Sequence, residues 1–97
     1  EARAAGLLGA VSAGPNPFRE SVVLQYRLEA PSLVRVEVFD AAGRRVRGIF
    51  DGPRAAGESR LAWDGCDAGG TPVRAGVYFV RVAAGSEARS VRVIATR

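Results

Sequence analysis

Histidine and lysine are absent from this sequence, and cysteine occurs once, at Cys66. Without His the commonest general base and zinc ligand is missing, and a single thiol can neither close an internal disulfide nor build an all-Cys metal site. Most hydrolytic chemistry is thereby excluded, and Cys66, with no His to activate it, reads as a passive thiol. Long apolar runs are also missing: none reaches the roughly 18 residues that span a bilayer, and residues 1–6 lack the charged and apolar blocks of a signal peptide. Membrane insertion is therefore not expected. A chain that opens on Glu1 instead of Met is expected to be a mature or excised piece, with residues 1–6 as the end of a linker. Helical periodicity is the last absence, since the short Arg-Ala-Ala-Gly stretches are too brief to nucleate a helix.

What is present is a globular composition, 47% apolar and 25% charged over 97 residues, which suits one domain with one core. All 14 basic residues are Arg and the net charge is +4. The arginines are scattered, with one dense group at Arg44, Arg45 and Arg47, and the few aromatics fall mostly in apolar runs. Nucleic acid binding needs a basic stripe with exposed stacking aromatics, so no nucleic acid partner is expected.

Period-two alternation recurs along the chain, the pattern of strands with one face buried. Residues 7–13 form a first short apolar strand. Residues 21–28 place Val22, Leu24, Tyr26 and Leu28 on one face. Residues 33–40 place Val34, Val36 and Val38 opposite Arg35, Glu37 and Phe39. A turn at Asp40-Ala41-Ala42-Gly43-Arg44 leads into a return strand at 46–50, because Asp bonds the backbone two residues on and Gly43 accepts a positive φ. Asp51-Gly52-Pro53 reads as a loop, followed by a strand at 59–64 with Trp63 as a core anchor. After a glycine-rich loop at 65–72 come strands at 73–84 and 88–95, joined by Gly85-Ser86-Glu87, with Gly76 marking a bulge or a close backbone approach.

Seven short strands with frequent turn signals predict an all-β, Ig-like β-sandwich of antiparallel strands in two sheets, spanning residues 7–97. Its inner layer is expected from Val22, Leu24, Tyr26, Val34, Val36, Val38, Trp63, Tyr78, Val80, Val82, Val91 and Val93.

Candidate chemistry is sparse. Asp64 and Asp67 stand near flexible glycines and are the only weak candidates for a metal, but two carboxylates are too few for calcium and read as turn formers. The glycine-rich stretch does not lead from a strand into a helix, so it is no phosphate cradle. Glu20 and Glu29 would need a concave site to act as a glycosidase pair. Arg44, Arg45 and Arg47 suit an edge strand on which charge discourages unwanted pairing. Phe39 and Phe79 are the two aromatics that a carbohydrate-binding platform would use. No catalytic residue and no cofactor is expected.

Four pieces stand in a fixed order: Pro15-Asn16-Pro17-Phe18 before the second strand, Asp40 to Gly43 and Arg44 at a hairpin, Trp63-Asp64-Gly65 before a loop, and Gly76-Val77-Tyr78 in the penultimate strand. This set resembles the Ig-like C-terminal domains related to the flagellar hook-capping protein and to type IX secretion sorting domains. The resemblance covers residues 8–97. It implies a noncatalytic module at the C-terminus of a larger secreted protein, located outside the cell or on a bacterial surface. The implied partners are the secretion machinery or a surface protein, and the upstream domain of the same chain. Trp63-Asp64-Gly65 is more typical of the hook-capping branch, and Arg92 and Arg97 stand where sorting signals commonly carry Lys, so both branches stay open. The alternative is a structural or adhesive module that uses exposed strand edges in an extracellular assembly.

Overall fold

The computed structural model describes residues 6–96; most of the expected linker, residues 1–5, and the terminal Arg97 lie outside the described residues. Seven strands form two antiparallel sheets. One sheet orders β1 (Ser12–Gly14), β2 (Val22–Leu28) and β5 (Gly57–Trp63) as β1-β2-β5. The other orders β3 (Ser32–Asp40), β4 (Arg45–Arg54), β6 (Gly76–Ala84) and β7 (Glu87–Ala95) as β4-β3-β6-β7. This is the Ig-like sandwich that the strand count predicts.

The alternation decides which face each strand turns inward. In β2, Val22, Leu24, Tyr26 and Leu28 are buried while Gln25 and Arg27 are exposed. In β3, Val34, Val36 and Val38 are buried, and β6 pairs with β3 so that Val80 and Val82 lie opposite Val38 and Val36. Burying such side chains contributes about 1.5–3 kcal/mol each, which makes this layer the main source of stability. Eleven of the twelve expected core positions are buried. Val91 is only half-buried against the core, whereas Val93 and Ala95 further along the same face of β7 are fully buried. Leu8, Phe18, Leu28, Ala84 and Ala95 complete the buried cluster.

Four local expectations are corrected. Residues 7–13 are not one strand: Leu8 makes an isolated bridge to Leu28, and β1 begins only at Ser12. Around that bridge the Gly9 amide bonds the Arg27 carbonyl and the Glu29 amide bonds the Leu7 carbonyl, both at 2.9 Å, while the Leu7 and Leu8 amides are capped by the Glu87 carboxylate at 2.7 and 3.0 Å. Asp51, Gly52 and Pro53 are not a loop but lie within β4. Proline is tolerated there because β4 is an edge strand and needs no outward donor. Gly76 marks no bulge, since it opens β6 in unbroken register with β7 and a Cβ there would meet open space. The register breaks occur in the β3–β4 pair, opposite Val36/Glu37 and Val38/Phe39, where Ile49 and Val46 are the extra residues. Finally, residues 73–75 precede β6 instead of belonging to it.

Candidate functional site: the motif end of the sandwich and the sheet edges

Three of the four sequence motifs meet through one aromatic row at one end of the sandwich. The Phe18 and Trp63 rings are tilted with centroids 5.5 Å apart, and Trp63 meets Tyr78 edge-on at 5.6 Å. Such pairs add about 0.5–1.5 kcal/mol each beyond area burial. The fourth motif, the β3–β4 turn, reaches the row through Asp40, which lines a groove of about 510 Å³ with Arg44, Val46, Asp67, Ala68 and Tyr78.

Each polar motif residue in this region is committed to shaping a turn. Asp40 Oδ1 accepts the amides of Ala42 and Arg44, both at 2.9 Å, while Oδ2 meets Arg44 Nε at 3.2 Å. Gly43 takes a φ of 87°, the left-handed value that lets the chain reverse in so few residues. The Arg44 amide above all holds the Asp40 carboxyl below its ordinary range; burial opposes it next, and the Ala42 amide and the Arg44 guanidinium add to the lowering.

The β5–β6 loop is built the same way. Asp64 Oδ1 accepts the Cys66 amide at 3.0 Å and Arg47 Nη1 at 2.9 Å, and the Cys66 amide is the main cause of its lowered pKa. The Cys66 carbonyl accepts both Trp63 Nε1 at 2.9 Å and Arg47 Nη1 at 3.0 Å, so the indole is locked by the loop that follows it. Asp67 Oδ1 accepts the Gly69 and Thr71 amides at 2.9 and 3.0 Å. The Ala68 amide bonds the Val46 carbonyl at 3.1 Å, fastening this loop to the bulged part of β4. Tyr78 donates its hydroxyl to the Arg74 carbonyl at 2.7 Å, and burial, then the Asp40 charge, raises its pKa.

This arrangement offers little chemistry. Asp64 and Asp67 each commit Oδ1 to N–H donors, and among the described residues no group of three His, Cys, Asp or Glu side chains could hold a metal ion. The Arg44, Arg45 and Arg47 group splits among three acids, Asp40, Glu37 and Asp64, at 3.2, 2.8 and 2.9 Å. It forms no continuous basic patch, and Arg47, expected to be an exposed edge charge, is a half-buried brace of the loop. Phe39 and Phe79 sit directly opposite each other in the β3–β6 register, on the outer face of the four-stranded sheet, with Phe79 36% exposed.

The entry motif does something sequence reasoning did not find: it closes a sheet edge. Asn16 Nδ2 donates to the Arg92 carbonyl and Asn16 Oδ1 accepts the Ile94 amide, each at 2.9 Å, so one side chain stands in for a strand neighbour of β7. The Phe18 backbone continues the pairing, donating to the Ile94 carbonyl at 2.8 Å and accepting the Thr96 amide at 2.9 Å. At the other end of β7, Glu87 clamps Leu7 and Leu8, and Arg89 Nε donates to the Leu8 carbonyl at 3.1 Å.

Comparison with known proteins places this geometry. The model of the FlgD Ig-like domain matches residues 18–88. The chain belongs to the FlgD Ig-like domain family. The matched stretch takes in Phe18, Asp40, Trp63 and Tyr78 but not Asn16, so the β7 clasp lies outside it. No curated protein matches the sequence. Among solved structures the domain is similar to dimeric latent PorU of Porphyromonas gingivalis, with 24% identity and a TM-score of 0.73 over 89% of this chain and 9% of that one. It is similar to PorZ of the same organism, a surface component of its type-IX secretion system, with 26% identity and a TM-score of 0.60 over 90% and 11%. It is also similar to FlgD of Xanthomonas campestris, a hook-capping protein, with 26% identity and a TM-score of 0.60 over 91% and 64%. This FlgD Ig-like domain thus spans about a tenth of the PorU and PorZ chains.

Proposed function

We propose that this FlgD Ig-like domain is a noncatalytic C-terminal module that directs secretion or surface attachment of an upstream extracellular protein. The observation that carries the reading is the likeness to a stretch amounting to 11% of the chain of PorZ, a type-IX surface component. The geometry agrees with it. Asp40, Asp64 and Asp67 are spent on turns, which leaves a rigid body whose sheet faces and edges are its working surfaces. The partners are then the secretion machinery or a surface protein, together with the domain preceding Glu1. The location is the bacterial surface or the medium, with no cofactor, nucleic acid or membrane insertion required. Fusing residues 1–97 behind a periplasm-directed reporter in a type IX competent host tests this. The reporter is expected on the cell surface or in the medium, and folded reporter retained in the periplasm would refute it.

A second reading, a structural or adhesive module of an extracellular assembly, is favoured by one observation. The β5 edge is a regular strand in unbroken register with β2 along its whole length.

A further inference from the structure

Two sheets have four edges, and three of them are closed or blunted. The β7 edge has its backbone capped by Asn16 and Phe18 at one end, and at the other its Glu87 and Arg89 side chains are fastened to the Leu7 and Leu8 backbone. The β4 edge carries Pro53 and two register breaks that re-aim its backbone. The β1 edge is 3 residues long. Among the described residues the β5 edge has none of these devices: no Pro, no bulge, and continuous pairing with β2 from Gly57 to Trp63 on its other side. An open edge of this kind presents backbone donors and acceptors to another strand.

The side chains of β5 point to the occupant. Glu58 and Arg60 are exposed, Gly57, Ser59 and Leu61 are half-buried, and neither Glu58 nor Arg60 makes an ion pair among the described residues. Opposite charges two residues apart on one strand are self-complementary under antiparallel pairing. We propose that β5 is a homodimerisation edge, in which two copies pair antiparallel about a two-fold axis at Ser59. Glu58 of each copy then lies opposite Arg60 of the other, Ser59 opposite Ser59, and Gly57 opposite Leu61. The three-stranded sheet continues across the axis into the second copy.

The register follows from the same charges. An axis at Glu58 or at Arg60 would set like charges directly opposite each other, which destabilises a pair. Moving the axis by half a residue would turn the exposed face of one copy toward the core side of the other. The Ser59 axis keeps both faces continuous and satisfies both charges. It also pairs the backbone whichever alternate residues turn their donors outward, since an antiparallel ladder alternates between the two kinds of pair. So short a ladder gives a weak dimer, with a Kd on the order of 0.1 mM, as expected for a contact below the size of stable interfaces.

The inference deepens the second reading above and is independent of the secretion reading: a monomer that is still exported would end this inference alone. Sedimentation velocity of residues 1–97 up to about 1 mM is expected to show a monomer–dimer equilibrium. Glu58→Arg and Arg60→Glu should each weaken the dimer about tenfold or more by replacing two attractions with two repulsions. An equimolar mixture of the two variants should recover dimer, because the introduced arginine of one copy then lies opposite the introduced glutamate of the other, and the native Arg60 of the first opposite the native Glu58 of the second. The Glu58→Arg/Arg60→Glu double variant should recover dimer alone. Unchanged circular dichroism and melting of these surface variants would confirm that each is folded. A wild-type monomer throughout the range, single variants that dimerise as wild type does, or a mixture and double variant that stay monomeric would each overturn the proposal.

Discussion

Asn16→Ala isolates the clasp on β7. The substitution removes the 2.9 Å bond to the Arg92 carbonyl and the 2.9 Å bond from the Ile94 amide while leaving the Phe18 backbone pairing one step further along. Both groups are near solvent, so water replaces part of what is lost, and two net contributions of roughly 0.5–1 kcal/mol give about 1–2 kcal/mol in total. In a domain of this size each kcal/mol moves the melting temperature by about 4–8 °C, so a fall of about 5–15 °C is expected by thermal circular dichroism. Native-state hydrogen exchange supplies the local readout. The Ile94 amide should exchange several-fold faster, whereas the amides of β2 should change only as far as global stability does. A melting temperature within about 2 °C of wild type, with Ile94 protection unchanged, would refute the idea that Asn16 acts as a substitute strand.

Other perturbations probe the remaining parts of the structure. Trp63→Phe should cost about 2–4 kcal/mol, because it shrinks a fully buried side chain and removes the indole bond to the Cys66 carbonyl, which keeps only its Arg47 donor; chemical denaturation measures it, and a loss below about 1 kcal/mol would contradict the locking role. Glu87 titrates below its ordinary range, first because the Leu8 amide and then because the Leu7 amide stabilise its carboxylate. Its stabilising effect is thus complete above the unfolded-state value and is lost as pH falls through the lowered folded value. Glu87→Gln should therefore melt below wild type at pH 7 and approach it in acid, and a gap that does not narrow on acidification would show that the carboxylate charge is irrelevant. Millimolar calcium should leave the melting temperature unchanged, since Oδ1 of Asp64 and of Asp67 is held by N–H donors and among the described residues no third His, Cys, Asp or Glu completes a metal group with them; a clear rise would reinstate them as metal ligands.

Local pattern carried the fold into view. Alternation in Val22, Leu24, Tyr26 and in Val34, Val36, Val38 marks inward faces because the side-chain period of a strand is fixed by geometry. The Asp40 turn was equally readable, since its hydrogen bonds span only two to four residues. What stayed hidden depends on partners far along the chain. Asn16 reaches residues 76 and 78 positions away, and Glu87 reaches Leu7 at a separation of 80. Pro53 misled because proline breaks a central strand but not an edge, and edge position is a property of the assembled sheet. The motifs at Phe18, Trp63 and Tyr78 could be ordered in the sequence, but their stacking into one row appears only once the sheets face each other.

The central claim is that this domain serves as a docking module that carries other protein outward. Its most direct test compares a reporter fused to residues 1–97 in a type IX competent strain with the same fusion in a strain lacking that machinery. The account predicts reporter at the surface or in the medium of the first strain and folded reporter held in the periplasm of the second. Equal retention in both strains, or equal export from both, would contradict it.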